Sequence, residues 1–171
     1  MKKILLTTLI LLMGIFLICT SGCDSGRYTL GQQIEMGPFV FEVSGASERF
    51  DYMGDGKKYK KLYVDLLLDT EKSTETNIKF DDFMNGKSKG NRMIISPAMK
   101  IKDKSGTKFD GVDVKSVGGT TRWRADFWLI VHSRGTKSRL DYLDRTSSDF
   151  NLIIKNPDRR KGQPKIVNIK L

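Results

Sequence analysis

Apolar and polar residues alternate along most of this chain. Phe39, Phe41 and Val43 alternate with Val40, Glu42 and Ser44; Leu62, Val64, Leu66 and Leu68 alternate with Tyr63, Asp65, Leu67 and Asp69. Trp123, Ala125, Phe127, Leu129 and Val131 alternate with Arg122, Arg124, Asp126, Trp128, Ile130 and His132. Phe150, Leu152 and Ile154 form another set, and Val167, Ile169 and Leu171 a last one. A period of two sends successive side chains to opposite faces, so each run predicts a strand with one face in a core. Turn residues separate the runs: Met53-Gly54-Asp55-Gly56, Asp103-Lys104-Ser105-Gly106 after Met99 and Ile101, Gly118-Gly119, and Asn156-Pro157-Asp158. Residues 85–91, rich in Gly and Lys, predict an irregular loop, and residues 140–143 are the only candidate for a turn of helix. Seven to nine short strands without a long helix predict an all-β, antiparallel sandwich. No repeat or second domain is apparent.

The N-terminus departs from this pattern. Lys2 and Lys3 precede residues 4–18, which are apolar except for Thr7 and Thr8. Such a run is shorter than the ~20 residues that cross a bilayer and has the form of a signal-peptide core. It ends in Thr20-Ser21-Gly22-Cys23, which resembles the lipobox of bacterial lipoproteins, with Thr20 where an aliphatic residue is usual. The resemblance implies a signal peptide over residues 1–22, a diacylglyceryl group on Cys23, and a short tether over residues 23–26. It also implies a cell-membrane location on the extracytoplasmic side. Asp24 after Cys23 resembles the inner-membrane retention signal of enteric two-membrane bacteria, so the inner membrane is the expected location in such a host.

Removing residues 1–22 leaves 149 of the 171 residues, enough for one domain with a substantial core. Lys2 and Lys3 are lost with them, so 28 basic residues face 20 acidic ones, a net charge of +8. Cys19 leaves with the signal and Cys23 carries lipid. No intrachain disulfide can form, and core packing and backbone pairing must hold the fold.

Over residues 27–171 the order of segments is similar to DUF4352-like, immunoglobulin-like domains of bacterial lipoproteins and secreted antigens. The segments are Tyr28-Thr29-Leu30-Gly31-Gln32; Gly37-Pro38-Phe39-Val40-Phe41-Glu42-Val43; Lys61-Leu62-Tyr63-Val64-Asp65-Leu66-Leu67-Leu68; and a strand from Met99 leading into a D-x-x-G-x-x-[FY] hairpin that ends at Phe109. In that family the second long strand usually ends in an Asn-rich turn, whereas here Asp69-Thr70-Glu71-Lys72 follows. The resemblance implies an immunoglobulin-like β-sandwich and supplies no general catalytic residues.

Candidate chemistry is sparse. His132 is the only histidine and Cys23 the only mature cysteine, which leaves no nucleophilic triad and no His/Cys zinc set. Ser105-Gly106-Thr107-Lys108 matches S-x-x-K, but it falls in a predicted hairpin turn without companion motifs. Asp51 with Asp55, Asp81 with Asp82, and Asp110 with Asp113 could supply oxygens to calcium, yet none has EF-hand spacing, and Asp and Gly favour turns for local reasons. No metal, cofactor or catalytic residue is therefore assigned.

The basic residues are spread along the chain. Lys100 and Lys102 share one strand face, as do Arg122 and Arg124. Export and the lack of a nucleic-acid motif argue against nucleic acid, leaving a solvated face or an anionic lipid surface. Arg122, Arg124 and Trp128 form the candidate interface, since Arg and aromatic residues are enriched where proteins meet. The expected function is a lipid-anchored, non-catalytic binding or accessory module whose partners are the membrane and an unidentified envelope protein or ligand. A hydrolase using paired carboxylates and a structural subunit of an envelope assembly are the alternatives.

Overall fold

The computed structural model describes residues 25–52, 58–85, 98–109, 112–132, 139–141 and 143–171. Two five-stranded sheets pack face to face. One has the order β2 (Gln33–Met36), β3 (Phe39–Tyr52), β4 (Lys58–Asp69), β8 (Arg122–Trp128), β7 (Val112–Gly118). The other has the order β1 (Ser25–Tyr28), β12 (Ile166–Lys170), β11 (Phe150–Lys155), β5 (Met99–Asp103), β6 (Lys108–Phe109). A two-stranded ribbon, β9 (Ile130–His132) with β10 (Arg139–Asp141), pairs with neither sheet.

This order is that of an immunoglobulin-like sandwich. Strands β3-β4-β8-β7 follow the A-B-E-D order, and β12-β11-β5 follow G-F-C, with β6 in the C′ position. The sheets are called ABED and GFC below. β2 extends ABED at its edge, and β1 joins GFC by a parallel pairing with β12.

Alternation explains most of the core. From ABED, Phe41, Val43, Leu62, Val64, Leu66, Ala125 and Phe127 point inward; from GFC, Met99, Ile101, Leu152, Ile154, Val167 and Ile169 meet them. In β3 a bulge between Val43 and Gly45 inserts one residue, and the inward parity changes from odd to even. Ala46, Glu48 and Phe50 then follow Val43 on the core side of the sheet. β3 and β4 continue past β2 as a hairpin on which Phe50 and Tyr52 are exposed.

One element the alternation does not predict closes an end of the sandwich. α1 (Phe80–Asn85) buries Phe80, Phe83 and Met84. Phe80 sets its ring edge-on to Phe39, Phe41 and Trp123 at 5.2, 5.5 and 5.4 Å. Asn85 accepts from the N–H of Val114 and donates to the Val114 carbonyl, tying the helix to β7. Gln163 spans the sandwich in a similar way. Its amide accepts from the N–H of Gly37 at 2.7 Å and donates to the Gly37 carbonyl at 2.9 Å.

Some expectations are corrected. Residues 139–141 form strand β10, paired antiparallel with β9, so the turn of helix read at 140–143 does not form there. The run 122–132 is two strands, broken at Leu129, whose N–H bonds to the Lys60 carbonyl while the chain leaves the sheet. Twelve strand segments form among the described residues where seven to nine were expected. Sheet pairing also reaches back to Ser25, into the stretch assigned to the tether. Residues 1–24, with the signal segment, Cys23 and Asp24, lie outside the described residues, as do the turn at 53–56 and residues 86–91 of the expected loop.

Candidate functional site

The candidate interface residues lie on the outward face of ABED. Pairing arranges this face in rows across the strands: Arg49, Lys61 and Trp128; Ser47, Tyr63, Asp126 and Asp113; Gly45, Asp65, Arg124 and Lys115; Glu42, Leu67, Arg122 and Gly118. Arg122, Arg124 and Trp128 therefore share one surface, as their even spacing in β8 requires.

Each plays a different part there. Arg124 donates from Nε to Asp65 Oδ1 at 2.8 Å, and its guanidinium lies 5.2 Å from the centre of the Tyr63 ring. The hydrogen bond to Asp65 raises the Arg124 pKa above the ordinary arginine value. Arg49 approaches the same ring at 5.9 Å, so Tyr63 takes two guanidinium groups. Trp128 is half-buried. The Lys61 ammonium sits 3.9 Å from its ring centre, and the buried Tyr59 meets it edge-on at 6.4 Å. Lys61 is held in turn by Asp51 at 2.9 Å, and that hydrogen bond keeps the Asp51 carboxyl below the usual carboxylate range.

Arg122 is exposed, and its side chain has no hydrogen-bond or ion-pair partner among the described residues. It lines a depression of about 460 Å³ with Ser44, Asp65, Leu67, Val117 and Trp123. Leu67 and Val117 are exposed apolar side chains at this margin. Trp123 reaches it from the core side and donates from Nε1 to the Thr120 carbonyl at 2.8 Å.

Alternation alone assigns Asp126 to a solvated face, yet the residue is buried. Its Oδ2 accepts from Lys115 Nζ at 2.6 Å, and its Oδ1 is buried with no hydrogen-bond partner among the described residues. The lysine side chain crosses from the neighbouring edge strand and covers the carboxylate. The same bond raises the Lys115 pKa above its ordinary value.

Other candidates separate. Asp103 is buried and stitches the β5–β6 turn: its Oδ1 accepts from the N–H of Thr107 at 2.8 Å and from Ser105 Oγ at 2.7 Å. The S-x-x-K serine is thus a turn residue, and Lys108 is exposed on β6. Asp81 and Asp82 begin α1. Asp55 and Asp110 lie outside the described residues. Among the described residues no three His, Cys, Asp or Glu side chains converge as metal ligands. His132 pairs through its backbone with Arg139. Asp113 stands directly opposite Asp126 across β7–β8, a juxtaposition visible only from the strand register.

No protein-family model, curated protein or solved structure matches the chain.

Proposed function

We propose that this protein is a lipid-anchored, extracytoplasmic binding or accessory module of the bacterial envelope, without catalytic activity. One observation carries the binding reading. The outer face of ABED holds aromatic rings in fixed positions with paired cations, and Leu67, Val117 and Arg122 stand exposed beside it at a depression. Rigid aromatic and Arg side chains give contact area at low entropic cost, the property that concentrates binding energy at interfaces. The non-catalytic reading draws on the carboxylates of this face. Asp51, Asp65 and Asp126 each engage a cation, which occupies them as ion-pair partners.

The immunoglobulin-like strand order supports the DUF4352-like resemblance, and the signal-like N-terminus supports lipidation at Cys23. A carboxylate hydrolase would have to use Asp113 and Asp126, the pair that β7 and β8 bring together. Lys115, bonded to Asp126, argues against that use. An envelope assembly subunit would present the same ABED face to a stoichiometric partner.

Fractionation of cells producing Cys23→Ala tests the anchor: the processed variant leaves the membrane fraction, whereas a processed variant that stays there refutes lipid anchoring. Crosslinking from Arg122 in intact cells, followed by identification of the captured envelope component, tests the face.

A further inference from the structure

The outer face of GFC differs from that of ABED in charge. Its outward side chains form two main rows: Lys108, Lys102, Asn151 and Lys170, then Lys100, Ile153, Asn168 and Arg27. Lys155, Ile166 and Ser25 continue the surface. Six cations thus share this face, and among the described residues of its strands no Asp or Glu points outward. The one acid of those strands, Asp103, points inward. On ABED, by contrast, Asp51, Asp65 and Asp126 balance Lys61, Arg124 and Lys115 pair by pair.

Arg27, Lys102, Lys108, Lys155 and Lys170 have no ion-pair partner among the described residues, and such a row of like charges gains energy against an external anion. Its position identifies that anion. β1 is the edge strand of this sheet, and Ser25 lies two residues from Cys23, a reach of at most about 7 Å. Between β1 and β11 a depression of about 560 Å³ is lined by Arg27, Asn151, Asn168 and Lys170, a lining suited to a phosphate.

We infer that the outer face of the GFC sheet docks flat on the anionic phospholipid surface beside the anchor, with headgroup phosphates near Arg27 and Lys170. This rests on the lipid-anchor reading for its geometry and on the charge of the face for its sign. It turns the ABED face, with Arg122, Tyr63 and Trp128, away from the membrane and toward a partner.

The test uses the mature lipidated protein reconstituted in vesicles of phosphatidylcholine with or without phosphatidylglycerol. A single reporter thiol is introduced as Asn151→Cys on the GFC face or Ser47→Cys on the ABED face, both exposed positions. Labelling by a water-soluble maleimide is expected to slow about tenfold or more for Asn151→Cys on phosphatidylglycerol vesicles, because each cation near the surface adds about fivefold to docking. Ser47→Cys should label at one rate on both vesicles. High salt should abolish the protection by shortening the Debye length. The variant Lys108→Gln/Lys155→Gln/Lys170→Gln should weaken docking about 100-fold; its three lysines are exposed, so the fold survives.

Equal labelling of Asn151→Cys on both vesicles overturns the inference. So does protection by soluble polyglycerol phosphate but not by anionic vesicles, which assigns the face to an anionic polymer instead. Flotation separates the two readings: failure to float with neutral vesicles removes the anchor, whereas flotation with unchanged labelling removes only the docking face.

Discussion

The ion pair between Lys115 and Asp126 allows a sharp test of how the ABED face is built. The aspartate side chain is 6% exposed and the lysine side chain 51% exposed, with 2.6 Å between Nζ and Oδ2. Lys115→Ala would leave a buried carboxylate whose Oδ1 already lacks a hydrogen-bond partner among the described residues. Removing one partner of a fully buried pair costs about 3–5 kcal/mol, whereas a fully exposed pair is worth about 0–1 kcal/mol. With one partner buried and the other half-exposed, the expected loss is about 2 kcal/mol. For a domain of this size that lowers Tm by about 4–8 °C.

Two controls isolate the cause. Lys115→Ala combined with Asp126→Asn removes the stranded charge and should recover at least about half of the loss, a coupling typical of side chains in contact. The deficit of Lys115→Ala should also depend on pH. In the wild type the linked group is Lys115, whose pKa is raised by the bond. Its contribution is complete below the ordinary lysine pKa and is lost as pH rises through the raised one. Differential scanning calorimetry of the wild type and the two variants across pH measures all of this. A deficit that is independent of pH, or a double variant no more stable than Lys115→Ala, would refute the reasoning.

Gly37 has a φ of +54°, and a Cβ there would lie 2.8 Å from Phe83 Cε2. Gly37→Ala should therefore cost at least about 1–2 kcal/mol, by backbone conformation alone, in urea denaturation; Gly45→Ala, with no neighbour within 4 Å, is the matched control and should cost far less. Asp69 and Asp149 are held below the usual carboxylate pKa, first by the backbone N–H groups of Lys72 and Thr146. They contribute stability that is present above the ordinary carboxylate pKa and is lost as pH falls through the lowered values. Carboxyl NMR titration should find both midpoints below about 3.9, and a midpoint at or above that value would contradict the turn hydrogen bonds.

Much of the sandwich is legible in alternation because each inward set is strongly apolar: Phe39 to Val43, Leu62 to Leu68, Trp123 to Leu129, Phe150 to Ile154. Where the pattern fails, a physical reason is visible. The six residues of α1 bury only Phe80, Phe83 and Met84, too short a run for a helical period to stand out. β7 buries only Val114 and reads as polar because it is an edge strand. In β3 the Gly45 bulge reverses the parity, so the alternation ends before the strand does. Leu140 and Leu143 suggested a helical turn by their spacing, but the pairing of β10 with β9 decides the backbone there.

The candidate face was legible only in outline. Even spacing placed Arg122, Arg124 and Trp128 together, but Tyr63, Asp65 and Lys61 join them through strand pairing across 59 to 67 residues of sequence. Asp126 was missed for the same reason. A carboxylate on an outward position reads as solvated until the lysine that covers it is known, and Lys115 belongs to the adjacent strand.

The contrast between the two outer faces bears on how the module works. Both Lys100 with Lys102 and Arg122 with Arg124 look like basic patches along the chain, and the fold places them on opposite sides of the sandwich. On the ABED side a carboxylate stands beside most of the cations, so their charge is spent internally and what remains to bind with is ring surface, Arg122 and the apolar margin at Leu67 and Val117. On the GFC side no such acids point outward from the described residues of its strands, and the face retains its long-range attraction for anions. Long-range attraction suits a surface that must find a membrane held nearby, whereas a neutralised, rigid lattice suits recognition of one partner among many. Lysines substituted for Asp65 and Asp51 would erase the difference between the faces, and by this argument would cost partner selectivity while leaving the membrane side unchanged.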